Sequence, residues 1–447
     1  MKPPARVVIL GGGFGGLYAA RHLERQAHAG VSLDITLVSR DNFLLFTPML
    51  HEVAASDLDV THIVNPLRKL IRECKLVVGE VEEIDLEERR VAVSHAGGSH
   101  RHDLPYEHLV LALGSVTNFF GLPGLAERAL TMKSLADAIG LRNRLISLLE
   151  EADYECASGD RSTLLTVLVA GGGFAGVETV AAVHDFLHDA VRHYPHLSEE
   201  LIHVVLVEAA PAILPELGPE LGEYTRRVLG ERGIDVRTQT AVLRVEGDQV
   251  VLGDGSAVRA GTIVWTAGVA PNPLVAGLPC ATERGRIRVD PMLRVPEWQG
   301  VWALGDCAAV PDTRRGGFHP PTAQHAIRQA KVLAANLAAS ELVRPLEPFQ
   351  FSTLGLLAAT GRRTGVARMF GFSFSGFLAW WLWRSIYLMK LPRFERRVRV
   401  VLDWTLDLLF SKDLTQIPTE RPALAAPLPM GAPPAPVAEP LPASRPV

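Results

Sequence analysis

The sequence has little cysteine, no surplus of charge of one sign and no apolar run long enough to span a bilayer. Its 447 residues hold four cysteines, Cys74, Cys156, Cys280 and Cys307, with no C-x-x-C pair. Neither a disulfide framework nor a local zinc knuckle is therefore encoded, and a reducing compartment is expected. Forty-five basic side chains against forty-nine acidic ones leave a formal charge of -4, which excludes the electrostatic footprint of a nucleic-acid binder. The fifteen histidines show no H-E-x-x-H or other ligand spacing, so no metal site is expected. The weakly polar stretch 369–383 stops at Arg384, short of the ~20 residues a spanning helix requires. The N-terminus carries no basic, apolar and small-residue regions in the order of an export signal, so no secretion is expected. With 48% hydrophobic and 21% charged residues, the composition is that of a folded chain of two or three domains.

What is present is a repeat. RVVILGGGFGGLYAARHLE at the start is echoed by TVLVAGGGFAGVETVAAV from Thr166. Each copy reads as a short apolar strand, three glycines at G-x-G-x-x-G spacing, and a helix, the context a dinucleotide fingerprint demands. Gly11, Gly13 and Gly16 form the first set; Gly171, Gly173 and Gly176 form the second. The first glycine permits a tight turn, the second lets backbone approach a pyrophosphate, and the third lets the helix close on the strand. The first unit should be completed by an acid at the end of the next strand, but Ser39 stands there, followed by Arg40. In the second unit Glu208 ends the strand HVVLVEAA, which favours a free ribose 2′-hydroxyl and so NADH over NADPH.

Two dinucleotide units in one chain suggest one flavin and one nicotinamide site between which a hydride passes. Asp306, at the end of the strand in GVWALGDCAAV, is placed to hold ribityl hydroxyls of FAD, although a helix N-cap is its bland alternative. The expected architecture is α/β, with two Rossmann-like domains. The first FAD-binding segment, residues 1–120, is followed by a connecting helical segment 121–159, an NADH-binding domain 160–275 and a second FAD-binding segment 276–345. A C-terminal amphipathic helical, membrane-docking region 346–410 and a Pro/Ala-rich disordered tail 411–447 complete it; ten of residues 418–447 are proline.

Together GGGFGG, NFLLFTPMLHEVA, GGGFAGVE, TAGVAPNP, ALGDCA, the AQHAIRQ helix and LAATGR resemble those of the type II NADH dehydrogenases, single-subunit NADH:quinone oxidoreductases, over about residues 6–410. The resemblance implies non-covalent FAD, NADH as donor, hydride transfer to the flavin, and two electrons passed to a membrane quinone without proton pumping. It also implies that Glu178 sits between nicotinamide and flavin; the alternative is a solvated first-turn acid. Gln324 matches the first glutamine of the family's A-Q-x-A-x-Q quinone motif, whereas Arg328 stands in place of the second and Gln329 is one residue late. A helix-surface amide is the alternative for Gln324. Phe14, Pro48, Val81, Gly114, Gly305 and Gly268 complete the cofactor-binding set.

Segment 373–410 is rich in tryptophan and phenylalanine, interleaved with Arg384, Lys390, Arg393, Arg396, Arg397 and Arg399. On its last helix Arg399, Asp403 and Asp407 fall at i, i+4, i+8, a polar stripe on an apolar cylinder. Such a segment is expected to lie on an anionic membrane surface, peripheral to the cytoplasmic face of the cell membrane. A homodimer interface or a core helix are its alternatives. Removing it is expected to leave a soluble protein that keeps FAD. Two competing activities fit the same motifs: reduction of a small electron-carrier protein, and redox-controlled assembly resembling apoptosis-inducing factor.

Overall fold

The computed structural model describes residues 3–95, 100–155 and 158–418. Cys156 and the tail beyond Pro418 lie outside the described residues.

The two fingerprint strands each sit at the centre of a five-stranded parallel sheet. In the first, Ala5–Leu10 lies between Leu33–Ser39 and His108–Leu111, with Lys75–Val78 and Val301–Ala303 at the edges. In the second, Thr166–Ala170 lies between His203–Val207 and Thr262–Trp265, with Asp235–Arg237 and Leu130–Thr131 outermost. The central strands are continuous apolar runs because helices or loops cover both sheet faces. Val7, Ile9 and Leu10 are fully buried in the core of the first sheet, and Leu168 and Val169 are buried on the two faces of the second. Val301–Ala303 closes the first sheet after the entire second unit has intervened, so the first unit is assembled from both ends of the chain.

Segment 121–159 is more than a helical connector, because its strand Leu130–Thr131 pairs with Val264 and Trp265 as the edge of the second sheet. Its helix Leu135–Tyr154 starts with a capping box, the Ser134 hydroxyl accepting from Asp137 N while the Asp137 carboxylate accepts from Ser134 N. The two units are also stitched by an antiparallel pair, Ser115–Thr117 with Val269–Pro271.

The C-terminal region holds the expected helices and adds a sheet before them. It opens with an antiparallel sheet, Gly355–Gly361, Thr364–Met369 and Phe372–Ser375, before helices Gly376–Lys390 and Phe394–Leu406. Ala358, Val366, Ala379, Trp383 and Val400 are part of the same core as the fingerprint helix of the second unit. Removing 373–410, expected to leave a soluble protein, would uncover that core. Residues 412–417, expected to belong to the disordered tail, are anchored instead. The Lys412 ammonium is buried against the Asp57 carboxylate and Ala55 O, and Ile417 N donates to Asn143 Oδ1 at 2.9 Å.

Candidate flavin and nicotinamide cleft

The helices after the two glycine turns, Phe14–His28 and Phe174–Ala190, begin at Gly13 and Gly173 with no side-chain cap. Their first backbone N–H groups are left without a side-chain partner from the cap, which suits an anion. Gly11 and Gly171 both adopt φ +111°, and a Cβ on Gly16 or Gly176 would overlap the carbonyl of Gly11 or Gly171. A Cβ on Gly13 or Gly173 meets no protein atom within 4 Å. The turn thus separates the glycines that hold its shape from the one that leaves room for a bound group. These observations fit a dinucleotide at each turn.

Between the units runs a cleft of about 1420 Å³. Gly13, Phe14, Gly114, Gly305 and Asp306 line it from the first unit, and Phe174, Glu178 and Thr179 from the second. Pro48, in the F-T-P-M-L segment, adds to its wall. Phe14 meets Phe46 edge-on at 6.0 Å, and Phe46 meets Tyr387 at 6.3 Å, so aromatic rings carry the wall from the first fingerprint to the C-terminal helix. Asp306 Oδ2 accepts from the Ser115 hydroxyl at 2.7 Å, and the Lys133 ammonium donates to that same hydroxyl at 2.7 Å. Burial lowers the pKa of Lys133. The carboxylate is therefore held at the cleft wall rather than used as a helix cap, in keeping with a polyol partner.

Glu178 is not a solvated first-turn acid. It is 8% exposed, and Oε1 accepts from Trp383 Nε1 at 2.8 Å and from Ala359 N at 3.2 Å. Burial pushes its pKa up to about 8. His51 Nδ1 lies 3.7 Å from Oε2, and burial pushes that imidazole down to about 3, so the histidine is neutral at pH 7. Neither Trp383 nor His51 stands out as a site residue in the sequence, where they read as a membrane aromatic and an ordinary polar residue.

Gln324 and Arg328 also line the cleft. Gln324 Nε2 donates to Gly355 O at 2.9 Å, Arg328 donates to Gln324 O at 2.8 Å, and its guanidinium stacks over Phe351 at 4.1 Å. Gln329 points elsewhere: it is buried, and its Oε1 accepts from Gly305 N at 2.8 Å, anchoring the Gly305–Asp306 turn. Lys390 is at the cleft wall beside the Tyr387 ring.

The structure does not gather every candidate at the cleft. Ser39, Arg40 and Val81 are not among its lining residues. The Ser39 hydroxyl donates to Asp41 O at 2.7 Å, Arg40 is exposed beside Asp41, and Val81 pairs with Val93 in a separate three-stranded sheet. Gly11, Gly16, Gly171, Gly173 and Gly176 shape the turns behind it. Glu208 ends its strand with Oε2 accepting from Gly172 N at 2.5 Å and Oε1 from Ala210 N at 2.6 Å, directly at the second glycine turn. Gly268, at φ +90°, packs under the Phe120 ring, where a Cβ would lie 2.5 Å from it; its glycine has a backbone reason of its own.

No described histidine, cysteine or acid cluster can hold a metal. Cys74, Cys280 and Cys307 are unpaired. Cys307 is buried, and burial pushes its thiol up to about 11, so it is no redox thiolate.

Fold and cleft define a two-dinucleotide oxidoreductase without a redox disulfide among its described residues. Residues 5–330 match the pyridine nucleotide-disulphide oxidoreductase family, and residues 354–413 match the NDH2 C-terminal domain. The chain is 32% identical to a probable NADH dehydrogenase of Dictyostelium discoideum, covering 92% of this chain and 91% of that one. It is also 32% identical to the type II NADH:quinone oxidoreductase Ndh of Mycobacterium tuberculosis, covering 92% and 90%. Its fold is that of NDH2 from Plasmodium falciparum solved with NADH, at TM-score 0.85, 19% identity, and coverage of 92% and 99%. The chain belongs to the type II NADH:quinone oxidoreductase family.

Proposed function

We infer that the protein is an FAD-dependent oxidoreductase that takes a hydride from NADH and passes two electrons to a quinone, without pumping protons. The observation that carries this reading is the single cleft lined by both fingerprint helices, with Asp306 on one wall and Glu178 on the other. FAD, when bound, supplies the hydride acceptor and the two-electron donor. The first glycine turn would hold its pyrophosphate, and Asp306, held by Ser115 and indirectly by Lys133, would hold its ribityl hydroxyls. Glu208 binds the adenosine ribose of NADH at the second turn, and Glu178 orients the donor ring. Gln324 and Arg328 hold the quinone headgroup, the guanidinium replacing an amide with a fixed cation. Ser39 and Val81 belong to the adenosine end of the flavin site in this reading, with Arg40 beside them. Alignment and exclusion of water are what the residues contribute, since hydride transfer itself needs no acid or base.

The C-terminal helices dock on a membrane at its cytoplasmic face. Supporting this is an inversion of the expected helix polarity. Asp403 and Asp407 turn inward, with Asp403 accepting from Asp59 N and meeting His62, while Val398, Val401, Leu402, Leu406 and Phe410 are exposed. An apolar face turned to solvent marks an interaction surface. No helix of the described residues is long and apolar enough to cross a membrane. The deciding experiment is NADH oxidation by purified, flavin-loaded protein with and without a short-chain quinone. Quinone-dependent turnover is expected; a protein that binds no FAD, or oxidises NADH equally fast without quinone, would overturn the reading.

A further inference from the structure

Segment 118–122 holds a side chain that neither the fold nor the cleft explains. Phe120 stands at φ +53° with its ring 61% exposed. A lone exposed phenylalanine needs no explanation. A bulky residue in the left-handed region does, because glycine or asparagine takes that conformation at far lower cost. The conformation is enforced from several sides. Asn118 Oδ1 accepts from Phe120 N at 2.8 Å, Asn118 O accepts from the buried Trp265 indole at 2.8 Å, and Asn118 N donates to Gly268 O at 3.3 Å. The ring is thereby set edge-on to Trp265, with centroids 6.4 Å apart, and against Gly268, where a Cβ would lie 2.5 Å from it. Backbone strain that the surroundings over-determine in this way points to function.

We propose that Phe120 is a binding residue for the nicotinamide half of NADH, its exposed ring forming the outer wall of that part of the site over Gly268. The inference rests on the NADH-oxidising reading. Strand order supplies the placement. In the second sheet His203–Val207, which leads into Glu208, and Thr262–Trp265 flank the fingerprint strand Thr166–Ala170, all three parallel. Their carboxyl ends therefore open on one edge, where a dinucleotide lies. Glu208 takes the adenosine ribose on one side, and the glycine turn takes the pyrophosphate in the middle. The remaining half of the molecule must then cross to the other side, onto Thr266, Ala267 and Gly268. That stretch adjoins the turn itself: a Cβ on Gly171 would lie 2.7 Å from Ala267 N, and one on Gly176 would lie 2.7 Å from Thr266 Oγ1. Gly268 cannot carry a side chain there, and Phe120 supplies the apolar surface in its place. The nicotinamide half is a flat heteroaromatic ring on a ribose, which a fixed aromatic ring recognises by packing against it. The antiparallel pair Ser115–Thr117 with Val269–Pro271 ties this wall to the first unit. It thus stands where the two units meet, as a hydride donor requires.

The test uses the full chain loaded with flavin. Wild type is compared with Phe120→Asn, which suits the left-handed backbone and lacks the ring, Phe120→Leu, which stays apolar, and Phe120→Tyr, which restores the ring. Two probes separate the halves of the coenzyme: NAD⁺, and AMP, which carries only the adenosine end. By calorimetry on the oxidised protein, Phe120→Asn should weaken NAD⁺ binding about tenfold and leave AMP binding unchanged. With ferricyanide as acceptor, KM for NADH should rise by a similar factor, the loss in kcat/KM falling on KM more than on kcat. Phe120→Tyr should match wild type in both measurements. Because the strain goes with the ring, the melting temperature of Phe120→Asn should hold or rise. A lowered melting temperature with unchanged NAD⁺ affinity would reduce Phe120 to turn packing and overturn the proposal, as would equal weakening of NAD⁺ and AMP. Should Phe120→Asn fail to fold, Phe120→Leu must show the weakened NAD⁺ binding. Wild type that holds FAD and binds neither NAD⁺ nor AMP overturns the NADH-oxidising reading instead.

Discussion

The indole N–H of Trp383 donates to Glu178 Oε1 across 2.8 Å of space and 205 residues of sequence. It joins the helix Gly376–Lys390 to the first turns of the second fingerprint helix, so the C-terminal region forms part of the cleft. Trp383→Phe keeps the ring and removes the donor. Loss of a hydrogen bond to a buried acid costs about 1–3 kcal/mol, so chemical denaturation should show a loss of that order. NADH oxidation should slow while FAD stays bound; unchanged stability and kinetics would show that the bond is incidental.

The two glycine roles separate experimentally. In Gly13→Val the Cβ meets no protein atom within 4 Å and the chain should fold, yet the side chain stands where a pyrophosphate would approach. The purified protein should be folded by circular dichroism and nearly colourless. Gly16→Ala overlaps the Gly11 carbonyl and should lower thermal stability instead. Full flavin content in folded Gly13→Val would remove the first turn from the cofactor site.

Coenzyme choice is expected to follow Glu208. Its carboxylate repels a 2′-phosphate, so kcat/KM should favour NADH over NADPH, and Glu208→Gln, which keeps an acceptor for Gly172 N, should narrow the ratio at least tenfold. Equal use of both coenzymes by the wild type would show that another group reads the ribose.

Stability should decline with alkali. A folded-state pKa near 8 for Glu178, raised by burial, means that the native state holds a proton that the unfolded chain releases above about 4.5. The contribution is fully present below the unfolded value and is lost as pH rises through 8. Glu178→Gln cannot ionise, so its melting temperature should drop less than that of wild type between pH 6 and 9. Parallel curves for the two proteins would refute a protonated native Glu178.

Membrane docking should respond to the outward face and not to the inward one. Val401→Glu with Leu402→Glu alters residues that are 42% and 55% exposed, so the fold should persist while flotation with anionic liposomes is lost. Attraction of the basic residues, about 1 kcal/mol per Lys or Arg near the surface, should make wild-type flotation weaken at high salt. Retained flotation by the double variant would place the contact elsewhere.

The glycine turns, the parallel strands around them and the ends of both sheets at Glu208 and Asp306 were legible in sequence because each is a local pattern: a positive φ at Gly11 or an uncapped helix start needs only neighbours along the chain. Which way a helix faces is different. Asp403 and Arg384 look alike on a helical wheel whether they meet water or protein. Only packing turned Asp403 toward His62, enclosed Arg384 between Trp380 and Trp404, and left Val401 and Leu402 outside. The same holds for Glu178 and His51, 127 positions apart, whose burial and proximity exist only after four separate elements close around them. Sequence alone determined where the two glycine turns and their uncapped helix starts lie, since a phosphate-binding fingerprint is written in local backbone geometry. The tertiary structure alone decided which acids are dry, because burial is a property of the whole assembled core.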